Sequence, residues 1–158
     1  MSAEIQNTIT GIGARLAGKY LTFVLGHESY AIPVLKVREI IRSCTFTPMP
    51  EMPIYVKGVV NLRGKIIPIV DLRQRFGFMA SDGASNCVVV VMIDSGKSTP
   101  SLVGLVVDSV EEVAFIAADD IEPTPDFGSA LGTKHIVGMA KIQGAIKALL
   151  DIDQVFAA

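Results

Sequence analysis

The chain contains no tryptophan, two cysteines, two histidines and only 6% aromatic residues. Its charges nearly cancel: 14 Lys and Arg stand against 16 Asp and Glu, a net −2 over 158 residues. Each shortage excludes something. Cys44 and Cys87 cannot form a multi-bridge framework, nor can they close a structural zinc site by themselves. A near-neutral chain lacks the basic footprint of a general nucleic-acid binder. The longest apolar run, Val88–Ile93, is strand-sized and far short of the ~18 residues that span a bilayer. The N-terminus lacks the basic segment and apolar core of a secretory signal. What is present is hydrophobic: 50% apolar residues against 19% charged, which is incompatible with a disordered chain. A chain of this length buries roughly two-thirds of its unfolded surface, so it needs no covalent staple. These features predict a soluble, cytoplasmic, well-packed domain.

Catalytic chemistry is also scarce. There is no G-x-x-x-x-G-K-[ST] loop and no H-E-x-x-H, and Gly11-Ile-Gly13 is too little for a dinucleotide fingerprint. His27 and His135 fall at a turn and a strand start, where ordinary exposed or half-buried side chains are expected. Cys44 and Cys87 read as inert buried thiols. Asp119, Asp120 and Glu122 lack the alternation and glycine of a calcium loop and read as a solvated loop. No catalytic residue, cofactor or metal is expected, so the domain must act through its surface.

Residues 1–17 mix small and apolar types and read as a flexible leader with a short helix. Beyond Gly18, β-branched and aromatic residues predict strands over Tyr20–Leu25 and Tyr30–Ile32. Pro33 then opens a predicted helix, with Val34, Val37 and Ile41 at helical spacing and Lys36, Arg38, Glu39 and Arg42 outward. Prolines break residues 47–53 into loop or edge. Strands follow over Val56–Leu62 and Lys65–Val70 around an Arg63-Gly64 turn, and Asp71 is placed to cap a short helix ended by Gly77. Residues 79–86 and 119–133 read as loops. Val88–Ile93, Ser101–Val107, Val113–Ala117, His135–Ile142 and Ile146–Leu150 read as strands, followed by a short helical stretch to Phe156. Many short strands with Gly/Pro turns and no long helix indicate small barrels or a sandwich.

The chain repeats itself. Residues 58–76 align with 138–156 at a constant offset of 80, with six identities in 19 pairs, where chance gives about one. The identities are Gly58/Gly138, Gly64/Gly144, Ile66/Ile146, Asp71/Asp151, Gln74/Gln154 and Phe76/Phe156. Residues 31–40 align with 104–113 at an offset of 73, matching Val37 to Val110 and Glu39 to Glu112. Shared positions read as scaffold: Gly at turns, Ile and Phe in the core, Asp71 and Asp151 as paired helix caps. Charges unique to one copy, such as Arg63 opposite Gln143 and Lys36 opposite Ser109, are the candidates for function. Arg is favoured at interfaces because its planar fork engages carboxylates at two points.

The same residues carry a resemblance. The segments Tyr20–Gly26, Tyr30–Ile32, Val34–Ile40, Tyr55–Gly64, Ile67–Arg73, Val103–Val110 and Ile121–Phe127 resemble the CheW family of bacterial chemotaxis coupling proteins. The run K-G-V-x-N-L-R-G-x-I-x-P-I-x-D-L from Lys57 to Leu72 is long and specific, and the resemblance covers residues 18–156. It implies an all-β fold of two pseudo-symmetric five-stranded SH3-like β-barrels around a hydrophobic interface. This gives a leader over 1–17, a CheW-like domain over 18–157, and sub-barrels near 18–82 and 83–157 with room for strand exchange between them. It further implies a non-enzymatic adaptor recruited to membrane-bound receptor complexes without inserting in the membrane. The implied partners are the regulatory domain of the histidine kinase CheA and the cytoplasmic tip of a chemoreceptor, a methyl-accepting chemotaxis protein. The receptor-contact positions match Val37, Glu39, Gly58 and Arg63, and apolar kinase contacts carry to Val110 and Val113 on chemically generic matches.

Because the chain stops at Ala158, just after the repeat closes, a stand-alone adaptor is expected. The competing readings are a scaffold of another chemosensory pathway, such as surface motility, and a small-barrel nucleic-acid binder. The latter needs exposed stacking aromatics on a basic face, which the seven Phe, mostly inside apolar runs, do not supply.

Overall fold

A computed structural model describes residues 11–42, 45–76, 87–94, 100–123 and 135–156. Residues 11–16 form a short helix, α1. The strands are β1 (Gly18–Leu25), β2 (Glu28–Pro33), β3 (Val37–Arg42), β4 (Val56–Leu62), β5 (Lys65–Asp71), β6 (Cys87–Ile93), β7 (Ser101–Val107), β8 (Ser109–Ile116), β9 (Ile121–Glu122), β10 (Ile136–Ile142) and β11 (Ala145–Leu150). Two one-turn helices, α2 (Leu72–Arg75) and α3 (Ile152–Val155), follow β5 and β11. Asp71 and Asp151 cap them as expected: their carboxylates accept the N–H groups of Arg73, and of Asp153 and Gln154. The Gly77 stop, the 79–86 loop, Cys44 and most of the 119–133 loop lie outside the described residues.

The strands build two sheets. One has the order β8-β1-β2-β11-β10-β9 and the other β3-β6-β7-β5-β4. The repeat is reproduced in three dimensions. The β4–β5 and β10–β11 hairpins both close through two-residue turns with positive φ: Arg63 at 52° and Gly64 at 85°, Gln143 at 50° and Gly144 at 81°. Both also carry an irregularity at their starts, before Gly58 and before Gly138. Strands β3 and β8 are bulged at matching residues, Arg38 and Glu111, as the 73-residue offset requires. Yet neither sheet is made from one half of the sequence. The β1–β2 hairpin joins β8, β10 and β11, whereas β3, β4 and β5 join β6 and β7. The division near residue 82 therefore separates sequence repeats and not sheets.

Side-chain parity along the strands sorts the core into three parts. Leu21, Phe23, Leu25, Val89, Val91, Leu105 and Val107 pack between the two sheets, together with Leu72, Ile152 and Val155 from the short helices. The opposite faces fill the two barrel interiors. Tyr20, Ala31, Ile116, Ala140 and Leu149 fill one, and Ile67, Ile69, Val88, Val90 and Val106 the other. Fully burying such a side chain is worth about 2 kcal/mol in gross transfer energy, so the intersheet cluster is the main cohesive element. Leu16 and Ala17 pack against the first barrel, and the Tyr20 hydroxyl donates to the Leu16 carbonyl at 2.6 Å.

Three expectations need correction. The helix predicted over Val34–Arg42 is one 3-10 turn, Val34–Lys36, followed by strand β3. Val37, Ile40 and Ile41 gain a bulged ladder against β6, which a short exposed helix cannot match. Ile66 and Ile146, identical in the repeat and assigned to the core, are 69% and 63% exposed, because each sits beside a hairpin tip on the outward face. His135 is buried, with its ring stacked on Phe76 at a centroid distance of 6.0 Å.

Candidate partner-binding site

The four candidate receptor positions gather around the two edges of the second sheet. Strand β3 is one edge and β4 the other. The bulge at Arg38 divides β3. Val37 lies opposite Val91 and packs on the intersheet core, whereas Glu39 lies opposite Val90, on the barrel side. Glu39 is reached from the far edge by Arg63 at the β4–β5 turn. Arg63 Nη1 donates to Glu39 Oε1 at 2.6 Å and Nη2 to Oε2 at 3.3 Å, a two-point contact between the two edges of the sheet. The Arg63 side chain stays 76% exposed while Glu39 is 24% exposed. The guanidinium therefore presents unused donor capacity to the surface.

Arg63 holds a costly conformation. A non-glycine residue in the left-handed region costs about 1 kcal/mol, and Asn or Gly is the usual occupant of this turn position. Asn61 Oδ1 accepts the Gly64 N–H at 2.8 Å and steadies the turn. Gln143 holds the same conformation at the equivalent turn, with φ 50°, so both copies place a long polar side chain at this position.

Gly58 has a packing reason of its own. Its φ is +154°, and a Cβ would lie 2.3 Å from the Thr47 carbonyl oxygen. Thr47 pairs with Val59 in both directions, at 2.8 and 2.9 Å, so the 45–48 segment seals the β4 edge only because residue 58 has no side chain. Val110 and Val113 lie apart from these four, on β8 in the other sheet. Val110, the repeat counterpart of Val37, also packs on the intersheet core, and Val113 is 55% exposed beside the exposed Phe115. Ile66, across the hairpin from Asn61, adds apolar surface near Arg63 that the sequence reading assigned to the core.

A buried network lies behind these surfaces. Arg73, 4% exposed, donates to both Asp71 oxygens at 3.0 Å and to Asp108 at 2.9 Å. Hydrogen bonding to Asp71 raises its already high pKa, against the opposing effect of burial. Burial pushes the Cys87 thiol up. Among the described residues no group of three or more His, Cys, Asp or Glu could hold a metal ion. No helix among them is long and apolar enough to cross a membrane.

The CheW-like domain model matches residues 19–158. The chain is 37% identical over 142 residues to a chemotaxis protein CheW of Klebsiella aerogenes, covering 90% of this chain and 83% of that relative. It is 35% identical over 136 residues to a chemotaxis protein CheW of Rhizobium meliloti, covering 86% and 85%. Protein FrzA of Myxococcus xanthus is 27% identical over 136 residues, covering 86% and 82%. The crystal structure of scaffolding protein TtCheW from Thermoanaerobacter tengcongensis superposes with a TM-score of 0.78 at 31% identity, covering 90% of this chain and 94% of that one. With its two exchanged sheets, its sequence repeat and these matches agreeing over nearly the whole length, the chain belongs to the CheW-like domain family of chemotaxis scaffold proteins.

Proposed function

We propose that this scaffold is a non-enzymatic adaptor that couples the cytoplasmic tip of a chemoreceptor to the regulatory domain of the histidine kinase CheA. The observation that carries the reading is the two-point Arg63–Glu39 contact, held on the surface by a turn whose backbone disfavours Arg. Ile66 is exposed near that contact, and Val37, two residues before Glu39, is half-buried against the intersheet core. An amphipathic receptor helix lays an apolar stripe against such a surface, while charges set its register. Gly58 contributes by letting the 45–48 segment close on β4. The kinase engages β8 through the apolar Val110 and Val113. Holding both partners on one body makes the second contact effectively intramolecular, which is the physical content of coupling. The protein acts in the cytoplasm and reaches the membrane through the receptor.

The test is a pull-down of the full chain against a chemoreceptor cytoplasmic fragment and an isolated CheA regulatory domain. Arg63→Ala and Glu39→Ala are expected to weaken receptor capture while leaving kinase capture near wild type. Equal loss of both partners would make these residues structural. Capture of neither partner by folded wild-type protein would overturn the reading.

A further inference from the structure

The chain passes from one sheet to the other twice through short connections. Residues Val34–Lys36 lead from β2 into β3, and Asp108 alone separates β7 from β8. Each connection is pinned by a carboxylate that accepts from two groups at once. Asp108 accepts the Gly26 N–H on Oδ2 at 2.6 Å and Arg73 Nη1 on Oδ1 at 2.9 Å. Asp153 accepts the Asp94 N–H on Oδ1 at 2.8 Å and Lys36 Nζ on Oδ2 at 2.8 Å. The two arrangements are alike in form but not residue for residue, since at the 73-residue offset Lys36 stands opposite Ser109 and Asp108 opposite Leu35. Arg73 and Asp153 are the same position of the 80-residue repeat, and Gly26 and Asp94 each directly follow the first strand of an exchanged hairpin. The clasp is retained and its charge is inverted. In one copy the helix carries the cation and the connection the carboxylate; in the other copy the roles are reversed.

The inversion has a consequence for assembly. If the two similar halves paired with the wrong connections, Arg73 would meet Lys36 and Asp153 would meet Asp108, like charge against like. Repulsive alternatives of this kind give specificity beyond that of the attractive contacts. The clasps also sit immediately before the two contact strands. Lys36 precedes Val37 and Glu39, and Asp108 precedes the β8 segment bearing Val110 and Val113. The Lys36–Asp153 pair is about one-third exposed, with side chains at 31% and 28%. Such a pair contributes little to folding. Its geometric effect is to fix where β3 begins.

We infer that Lys36–Asp153 and Arg73–Asp108 are positioning pairs for two separate partner surfaces, the first setting β3 for the receptor and the second setting β8 for the kinase. This rests on the adaptor function proposed above. The test measures binding of full-length variants to a soluble chemoreceptor cytoplasmic fragment and, separately, to a CheA regulatory domain. Lys36→Met and Asp153→Asn are expected to weaken receptor binding about five-fold, with kinase binding within about two-fold of wild type. The double variant should be no weaker than either single one, and Lys36→Arg should restore binding. Asp108→Asn is expected to show the reverse selectivity, and the Lys36 arm decides the matter alone if that variant does not fold. Equal weakening toward both partners would overturn the inference, as would unchanged receptor binding while Arg63→Ala still weakens it. Wild-type protein that binds neither partner would instead refute the adaptor function, and the inference with it.

Discussion

Arg63→Asn separates the backbone role of the β4–β5 turn from the role of its guanidinium. Residue 63 has φ +52°, a conformation that Asn accepts more readily than Arg, so the substitution recovers part of a cost of about 1 kcal/mol. It also removes the ion pair to Glu39. That pair is worth roughly 0.2–1 kcal/mol to folding, and the lower end applies because the Arg63 side chain is 76% exposed. The two terms oppose each other, so net stability should change by less than about 1 kcal/mol and the melting temperature by less than about 3 °C. Receptor affinity has no such compensation. Removing an Arg from a partner contact costs about 2 kcal/mol, near 30-fold in Kd. Calorimetric melting beside titration with a receptor cytoplasmic fragment reads both quantities from one preparation. A melting temperature lowered by about 10 °C would make Arg63 a structural latch. Unchanged stability with receptor binding within about two-fold of wild type would remove Arg63 from the interface.

Other expectations follow from the packing. Gly58→Ala places a Cβ 2.3 Å from the Thr47 carbonyl oxygen at a φ of +154°, so urea unfolding should show a loss of roughly 2–4 kcal/mol; a loss under about 0.5 kcal/mol would mean that the 45–48 segment yields freely. Asp71→Asn leaves the Arg73 charge buried with one partner fewer and should cost about 3–5 kcal/mol by the same measurement, whereas a near-neutral result would show that Asp108 suffices. Burial raises the pKa of Cys87 and Tyr20, and burial with a hydrogen bond to Glu28 raises that of Tyr30, so these groups favour their neutral forms in the fold. Their contribution is fully present below the unfolded values of 9.0 and 10.0 and is lost as pH rises above them. Stability should therefore fall from pH 9 upward, and in a Cys44→Ser background the Cys87 thiol should react with a thiol reagent only after unfolding. Rapid labelling of the folded protein at pH 8 would contradict its burial.

Much of the fold was legible because it is written twice. The offset of 80 residues located both hairpins, both turns and both Asp-capped helices, and the structure reproduces them down to paired positive φ values at Arg63 and Gln143. Strand β3 was not legible. Val34, Val37 and Ile41 suit a helical face, and the Arg38 bulge with the inward Glu39 interrupts the apolar alternation that announces a strand. The exchange of hairpins between sheets leaves no local trace either, since it depends on which surfaces pair and not on the order of elements. Ile66 and Ile146 show the limit of internal comparison: identity in a repeat marks equivalent positions without saying whether they face inward. At the candidate site, Glu39 and Arg63 were singled out by charge and resemblance, but their direct contact joins residues 24 apart in the chain. The clasps were invisible for the same reason, with Lys36 and Asp153 separated by 117 residues and Arg73 and Asp108 by 35.

Coupling is tested most directly by asking whether one molecule holds both partners at once. Immobilised CheA regulatory domain would be saturated with the full chain and then exposed to a chemoreceptor cytoplasmic fragment that does not bind the kinase domain alone. An adaptor with its receptor surface on β3 and the β4–β5 turn and its kinase surface on β8 predicts that the fragment adds to the complex without displacing the chain. It also predicts that Arg63→Asn weakens only this second step, by about 30-fold in Kd. Displacement of the chain by the receptor fragment, or no added mass with folded wild-type protein, would contradict coupling through separate surfaces.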